Sequence, residues 1–158
     1  MSAKPYLHLC RQTEDDGAYQ PDWPGNARLV EFTLSLAEDA HDLMQSSYAM
    51  GGGQISEFRP WLDTLLADAE YDPALVFPVL DNCGRMVAFA QCWSSGFIKD
   101  LVVDIDRRQQ GLGEALLRHL LMTFRERGVK RVCLKVECDN PTGAERLYRR
   151  LGFDTALA

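Results

Sequence analysis

Between Phe97 and Leu121 the chain reads FIKDLVVDIDRRQQGLGEALLRHLL, an apolar strand that runs into a glycine-bearing turn and then an amphipathic helix. No other stretch constrains the fold as tightly. Arg108, Gly111 and Gly113 stand at spacing R-x-x-G-x-G where the strand gives way to the helix. Glycines there remove side chains that would keep a ligand off the backbone. The first N–H groups of a helix have no intrahelical partner and carry partial positive charge. Together these features make a seat for a phosphate or pyrophosphate. An ordinary strand-to-helix turn has the same spacing, so the motif alone leaves both readings open.

The rest of the chain supplies the elements around this unit. YLHLCR (Tyr6 to Arg11) alternates as a short strand, and the acidic, Gly- and Pro-rich TEDDGAYQPDWPGN after it reads as a loop, so residues 1–26 form an N-terminal strand and loop. RLVEFTLSL (Arg28 to Leu36) is a second strand candidate, followed by a helix carrying Ala37, Ala40, Leu43, Met44 and Tyr48 at helical spacing. Gly51, Gly52 and Gly53 end that helix, and SEFRPWLDTLLADAEYD gives another with Ser56 as its cap. LVFPVLDNCGRMVAFAQCW is a hairpin turning at Asp81-Asn82-Cys83-Gly84, with Pro78 marking an irregular or edge position. KRVCLKVE alternates as a strand. NPTGAERLYRRLGF is a helix with Asn140 as cap and Pro141 at its first position, and FDTAL is a last short strand.

The strands before and after the Arg118-bearing helix form a β–α–β unit, which implies parallel neighbours. The hairpin adds antiparallel pairs. The expected fold is therefore α+β, a mixed central sheet with flanking helices in one domain over residues 1–158, and not a doubly wound dinucleotide fold. No acidic residue follows the glycines at the distance such a fold uses.

Composition removes several function classes. A net charge of −6 argues against a nucleic-acid surface, which needs clustered Lys and Arg. No run reaches membrane-helix length, and MSAKPYLHLC lacks the apolar core of a secretory signal, so the expectation is a soluble, cytoplasmic protein without membrane or nucleic-acid partners. The five cysteines are odd in number, scattered and without a C-x-x-C pair, which predicts neither a disulfide framework nor a metal site.

LVVDIDRRQQGLGEALL, VECDN and GAERLYRRLGF resemble, in order and spacing, the GNAT superfamily of acyl-CoA-dependent N-acyltransferases. Arg108, Gly111 and Gly113 fit the family's pyrophosphate motif, and Asn140, Tyr148, Gly152 and Phe153 fit its second signature. The match is clearest over residues 97–153. Two departures stand out. The family's fold commonly closes with a hairpin after Gly-Phe, whereas here only FDTAL precedes the end at Ala158, so Tyr6 to Arg11 is expected to take the place of the missing strand, from the same chain or from the partner in a homodimer. Tyr148 also lies eight positions after Asn140, where seven is common.

The resemblance implies acetyl-CoA as co-substrate. Its pyrophosphate would lie on the backbone of Arg108, Gln109, Gln110, Gly111, Leu112 and Gly113, with charge-assisted contacts from Arg107 and Arg108, and Asn140 nearby. Leu101, Val102 and Val103 would pair with the pantetheine arm through backbone groups, with an amide near Val102 facing the oxyanion. Tyr148 is the candidate general acid; Ala144, Leu147, Tyr148 and Leu151 also share a helix face, so a core tyrosine is the competing reading. Asp100 is the candidate base, against an exposed strand carboxylate beside Lys99, while Asp104 and Asp106 read as solvated turn acids. Tyr48, Phe58, Trp61 and Trp93 are candidate walls of an acceptor pocket or equally core residues, Gly51 to Gly53 a lip over it or a flexible linker, and Cys138 reads as a small buried residue rather than an acyl carrier. The implied function is transfer of an acetyl group to a primary amine by direct attack in a ternary complex. A non-catalytic acyl-CoA-binding module is the alternative.

Overall fold

The computed structural model describes residues 5–14, 20–51, 53–138 and 143–156. Seven strands form one sheet: β1 (Tyr6–Gln12), β2 (Ala27–Leu29), β3 (Val76–Asp81), β4 (Met86–Trp93), β5 (Phe97–Val103), β6 (Arg131–Glu137) and β7 (Asp154–Thr155). Among the described residues four helices flank it: α1 (Ala37–Ala49), α2 (Phe58–Ala67), α3 (Leu112–Glu126) and α4 (Ala144–Arg150). The strand order is β2-β3-β4-β5-β6-β1-β7, and β5–β6 is the parallel pair in an otherwise antiparallel sheet. This is the mixed α+β sheet that the sequence predicts.

Each face of the sheet carries its own core. Leu116, Leu117, Leu120 and Phe124 repeat at helical spacing along α3 and pack on Val132, Leu134 and Val136 of β6. Ala40 and Met44 of α1 and Leu62 of α2 pack on the other face against Val76, Phe89 and Val102. A register shift between Gln91 and Cys92 leaves Lys99 as the extra residue of β5. Ile98 therefore belongs to the α3-side core and Val102 to the α1-side core, though simple alternation would place both on one face. The same shift turns Asp100 toward α1.

The N-terminal strand pairs into the sheet beside the C-terminal strand, as expected of Tyr6 to Arg11. β1 pairs antiparallel with β6 on one side and β7 on the other, within this one chain. Leu9 is fully buried in the α3-side core, and the Ala156 amide donates to the His8 carbonyl at 2.7 Å.

Three expectations are corrected. The Arg28 to Leu36 strand shrinks to Ala27–Leu29, followed by a 3₁₀ turn at Leu34–Leu36. Val30 donates the last bond of this ladder to the Pro78 carbonyl, and proline has no N–H to return, so pairing ends there. Ser56 does not cap α2. Glu57 holds the cap position without a side-chain bond, and the Ser56 carbonyl meets His41 Nε2 at 2.7 Å. Finally, Cys10 and Cys133 form a disulfide. They lie 123 residues apart but directly opposite in the β1–β6 register, a juxtaposition that chain spacing does not reveal. His8 lies beside the pair. The expected cap Asn140 and Pro141 fall outside the described residues, and α4 begins after Gly143.

If β1 is part of the packed sheet, Leu9→Ala should cost about 2–5 kcal/mol of stability through lost burial and the cavity left behind. Denaturant unfolding measures this, and a loss within experimental error would mean that β1 contributes no core.

Candidate active site

Strands β5 and β6 pair only at Phe97–Cys133 and Ile98–Leu134, although each continues for several residues more. Beyond that point they diverge, and a cleft of about 750 Å³ opens between them, walled on its far side by α3 and α4. The backbone of β5 along this gap follows from its register with β4. The Asp104 amide donates to the Val87 carbonyl at 2.9 Å. In an antiparallel ladder alternate residues exchange bonds with the partner. Val102 opposite Phe89 and Asp100 opposite Gln91 therefore turn their backbone toward β4, while Leu101 and Val103 turn theirs toward the gap. The Val103 carbonyl indeed accepts from Arg108 Nε at 3.3 Å, away from β4. The expected donor near Val102 is thereby narrowed to its neighbours: the amides facing the cleft belong to Leu101 and Val103.

At the end of β5 the chain makes the glycine turn. Gly111 caps α3 with φ 85°, and Gln109 at φ 62° is the one non-glycine with positive φ among the described residues. A residue with a β-carbon is strained in that region, so glycine suits position 111. Gly113 lies one turn further in. A β-carbon there would stand 3.3 Å from Leu147 Cδ2 and 3.6 Å from Val103 Cγ2, so its absence lets α3 approach α4 and β5 closely. The amides of Gly111, Leu112, Gly113 and Glu114 have no intrahelical partner at this terminus, since the first helical bond runs from Ala115 to the Gly111 carbonyl. Arg108, Gln109, Gly111, Leu112 and Gly113 all line the cleft. Gln110 does not, and its amide nitrogen lies 3.5 Å from the Asp106 carbonyl. A bare backbone rich in free N–H groups suits the pyrophosphate of an acyl-CoA.

The arginines are less available than their number suggests. Arg107 lines the cleft, but its guanidinium donates to Asp81 at 3.0 Å. Arg150 pairs with Glu114, which also holds Arg118 at 3.5 Å. Arg146 of α4 lines the same cleft as the glycine turn, as its place among the basic residues flanking the phosphate seat implies.

Four groups gather near the point where the strands part. Asp100 is buried (7% exposed) and lines the cleft, which corrects the view of it as an exposed strand acid. Tyr48 of α1 donates a 2.5 Å hydrogen bond to Asp100 Oδ1. Tyr148 of α4 lines the cleft and rests edge-on against Phe153 at 5.9 Å. Tyr148 is buried, and no hydrogen bond to its hydroxyl is seen among the described residues. Burial, and next the proximity of Cys92 and Asp100, push the Tyr148 phenol well above its usual pKa. Burial and Asp100 do the same to Tyr48, and burial raises the Cys92 thiol.

Other candidates stand apart. Phe58 and Trp61 pack with His41 at 5.6 Å each in the α1-side core, and neither they nor Trp93 line the cleft; of the four proposed walls Tyr48 alone does. Asp104 is a buried acid rather than a solvated one, accepting from Arg85 at 3.0 Å and from the Asp106 amide. Cys138 is exposed, not buried. Asn140 lies outside the described residues. No helix among the described residues is long and apolar enough to cross a membrane.

Residues 37–153 match the sequence model of the acetyltransferase (GNAT) family. A mycothiol acetyltransferase of Clavibacter sepedonicus is 36% identical over 143 residues, covering 89% of this chain and 47% of that protein. The [ribosomal protein bS18]-alanine N-acetyltransferase of Escherichia coli K12 is 36% identical over 100 residues, 61% of this chain and 66% of its own length. The chain thus spans about half the length of the mycothiol acetyltransferases it matches. Among solved structures, a GCN5-related N-acetyltransferase from Sphaerobacter thermophilus superimposes with TM-score 0.81 at 22% identity over 96% of this chain and 48% of that one, a likeness of fold. The E. coli ribosomal-protein-S18-alanine N-acetyltransferase gives TM-score 0.68 at 28% identity, over 83% and 79%. With the family model covering most of the sequence and both ends of the cleft built from the matched residues, this chain belongs to the GNAT acetyltransferase family.

Proposed function

We propose that the chain is an acetyl-CoA-dependent N-acetyltransferase that acts on a primary amine by direct attack in a ternary complex. The observation that carries this reading is the single cleft between β5 and β6, which joins the amide-lined turn at Gly111 to Asp100 and Tyr148. Bound acetyl-CoA supplies the activated carbonyl and a thiolate leaving group. Amides at Gly111 to Glu114 hold the pyrophosphate, and Arg146 adds charge. Leu101 and Val103 offer backbone groups to the pantetheine arm, one of their amides serving as oxyanion donor.

Two side chains move protons. As the amine nitrogen bonds to the carbonyl carbon, Asp100 takes a proton from nitrogen, directly or through water. As the C–S bond breaks, the Tyr148 hydroxyl gives its proton to the sulfur. A raised phenol pKa keeps that proton in place at neutral pH, and donation to a thiolate of ordinary pKa about 8.5 is uphill at equilibrium, so position, not acidity, makes Tyr148 effective. The family relatives carry acceptors of two kinds in their names, mycothiol and an alanine of a ribosomal protein. Both an alanine-initiated peptide and small primary amines therefore belong in the first acceptor panel, read by thiol release from acetyl-CoA. CoA binding without thiol release for any amine would favour a non-catalytic acyl-CoA module.

Tyr148→Phe should lower kcat by about ten- to a thousandfold with little change in CoA affinity. Wild-type turnover in that variant would remove the acid role. Because the phenol titrates above its ordinary value, kcat with saturating substrates should not fall between about pH 8 and 10 through loss of the Tyr148 proton. A decline centred at or below about pH 10 and absent from Tyr148→Phe would contradict it.

At the turn, Gly111→Val combines backbone strain at φ 85° with a side chain beside the free amides. Calorimetry should show CoA affinity reduced by about tenfold or more in a protein that still folds. Unchanged affinity would rule out the turn as the pyrophosphate seat.

A further inference from the structure

Among the described residues three aspartates are buried, of which Asp100 lines the cleft, and they are held in different ways. Asp81 accepts from Arg107 and Asp104 from Arg85, each at 3.0 Å, so both are fixed in salt bridges. Asp100 accepts instead from a phenol, that of Tyr48 at 2.5 Å. In Asp81 and Asp104 an arginine takes Oδ2 and backbone amides take Oδ1, so both oxygens are engaged, whereas the Tyr48 hydroxyl holds one oxygen of Asp100. Among the described residues no hydrogen bond is seen to Asp100 Oδ2, and Asp100 lines the cleft. The carboxylate is thus held at one oxygen.

Tyr48 is itself held in place. It lies on the last turn of α1, where the Gly51 amide donates to its carbonyl at 3.0 Å. The chain then folds back over its ring. A β-carbon on Gly53 would stand 2.8 Å from Tyr48 Cε1 and 3.0 Å from Cδ1, closer than such atoms approach. Glycine at position 53 therefore lets the backbone lie directly against the ring. On its other side Tyr48 packs with the α1-side core.

We propose that Tyr48, seated against Gly53, is the positioning residue for Asp100, orienting its carboxylate so that Oδ2 meets the attacking amine; this rests on the reading of Asp100 as the proton acceptor. Tyr48 touches neither the acyl group nor the transferred proton. Its effect passes entirely through Asp100, and that dependence separates it from a residue that merely supports the fold.

A double-mutant cycle tests this, with kcat read by thiol release from acetyl-CoA using the fastest amine of the acceptor panel, and CoA affinity by calorimetry. Tyr48→Phe keeps the ring and should lower kcat by about tenfold or more, since the lost bond is one to a charged group, while CoA affinity stays within about twofold. Asp100→Asn should lower kcat further, and the double variant should match Asp100→Asn alone. Gly53→Ala should displace the ring and lower kcat in the wild-type background, yet add nothing in the Tyr48→Phe background. In proton NMR, the hydroxyl resonance lost in Tyr48→Phe should also be lost or shifted in Asp100→Asn. Wild-type kcat in Tyr48→Phe, or a loss that multiplies independently with that of Asp100→Asn, overturns the positioning role. Wild-type kcat in Asp100→Asn instead overturns the base reading on which it rests.

Discussion

The site depends on a parallel pair that stops early. Two strands bonded along their whole length would leave a continuous sheet with no opening at its centre. Here β5 and β6 share only two paired positions before they part. The parting leaves the Leu101 and Val103 backbone groups without a strand partner, a costly arrangement in a buried place unless something else bonds to them. On the proposed reading an acyl-CoA arm lying along β5 supplies those bonds, which would make the cleft a sheet edge held open in the middle of a sheet.

The surrounding elements keep the gap from closing. β1 binds the far side of β6 over seven residue pairs, so β6 is anchored away from β5 and not drawn back to it. α3 and α4 fill the α3 side with Leu116, Leu120, Tyr148 and Leu151. The bulge at Lys99 then divides β5 into two roles: before it, Ile98 packs into one core; after it, Asp100 and Val102 face α1. One extra residue is enough to place a carboxylate on the side from which Tyr48 can reach it.

Much of this was legible in the sequence because it is local. The FIKDLVV strand, the turn through Gly111 and the α3 helix follow from periodicity and from glycine chemistry over adjacent residues. β1 was legible by its alternation. What escaped prediction depends on contacts far apart in the chain. Nothing near Cys10 announces Cys133, and nothing near Asp100 announces Tyr48, 52 residues earlier. The burial of Asp100 escaped for the same reason, since the bulge at Lys99 shows only in the register of β5 against β4. Pro78 was read correctly as a source of irregularity, but its effect fell on β2, whose ladder it cuts short.

The central claim, that the open edge of β5 and the amide terminus of α3 together receive an acyl-CoA, is tested most directly by amide-resolved NMR during titration with CoA. The account predicts that the amides of Leu101, Val103 and Gly111 to Glu114 shift together with one binding curve, while those of β1 and β2 do not respond. Saturable binding that leaves the Leu101 and Val103 amides unmoved, or that shifts residues outside the β5–β6 cleft instead, would contradict it.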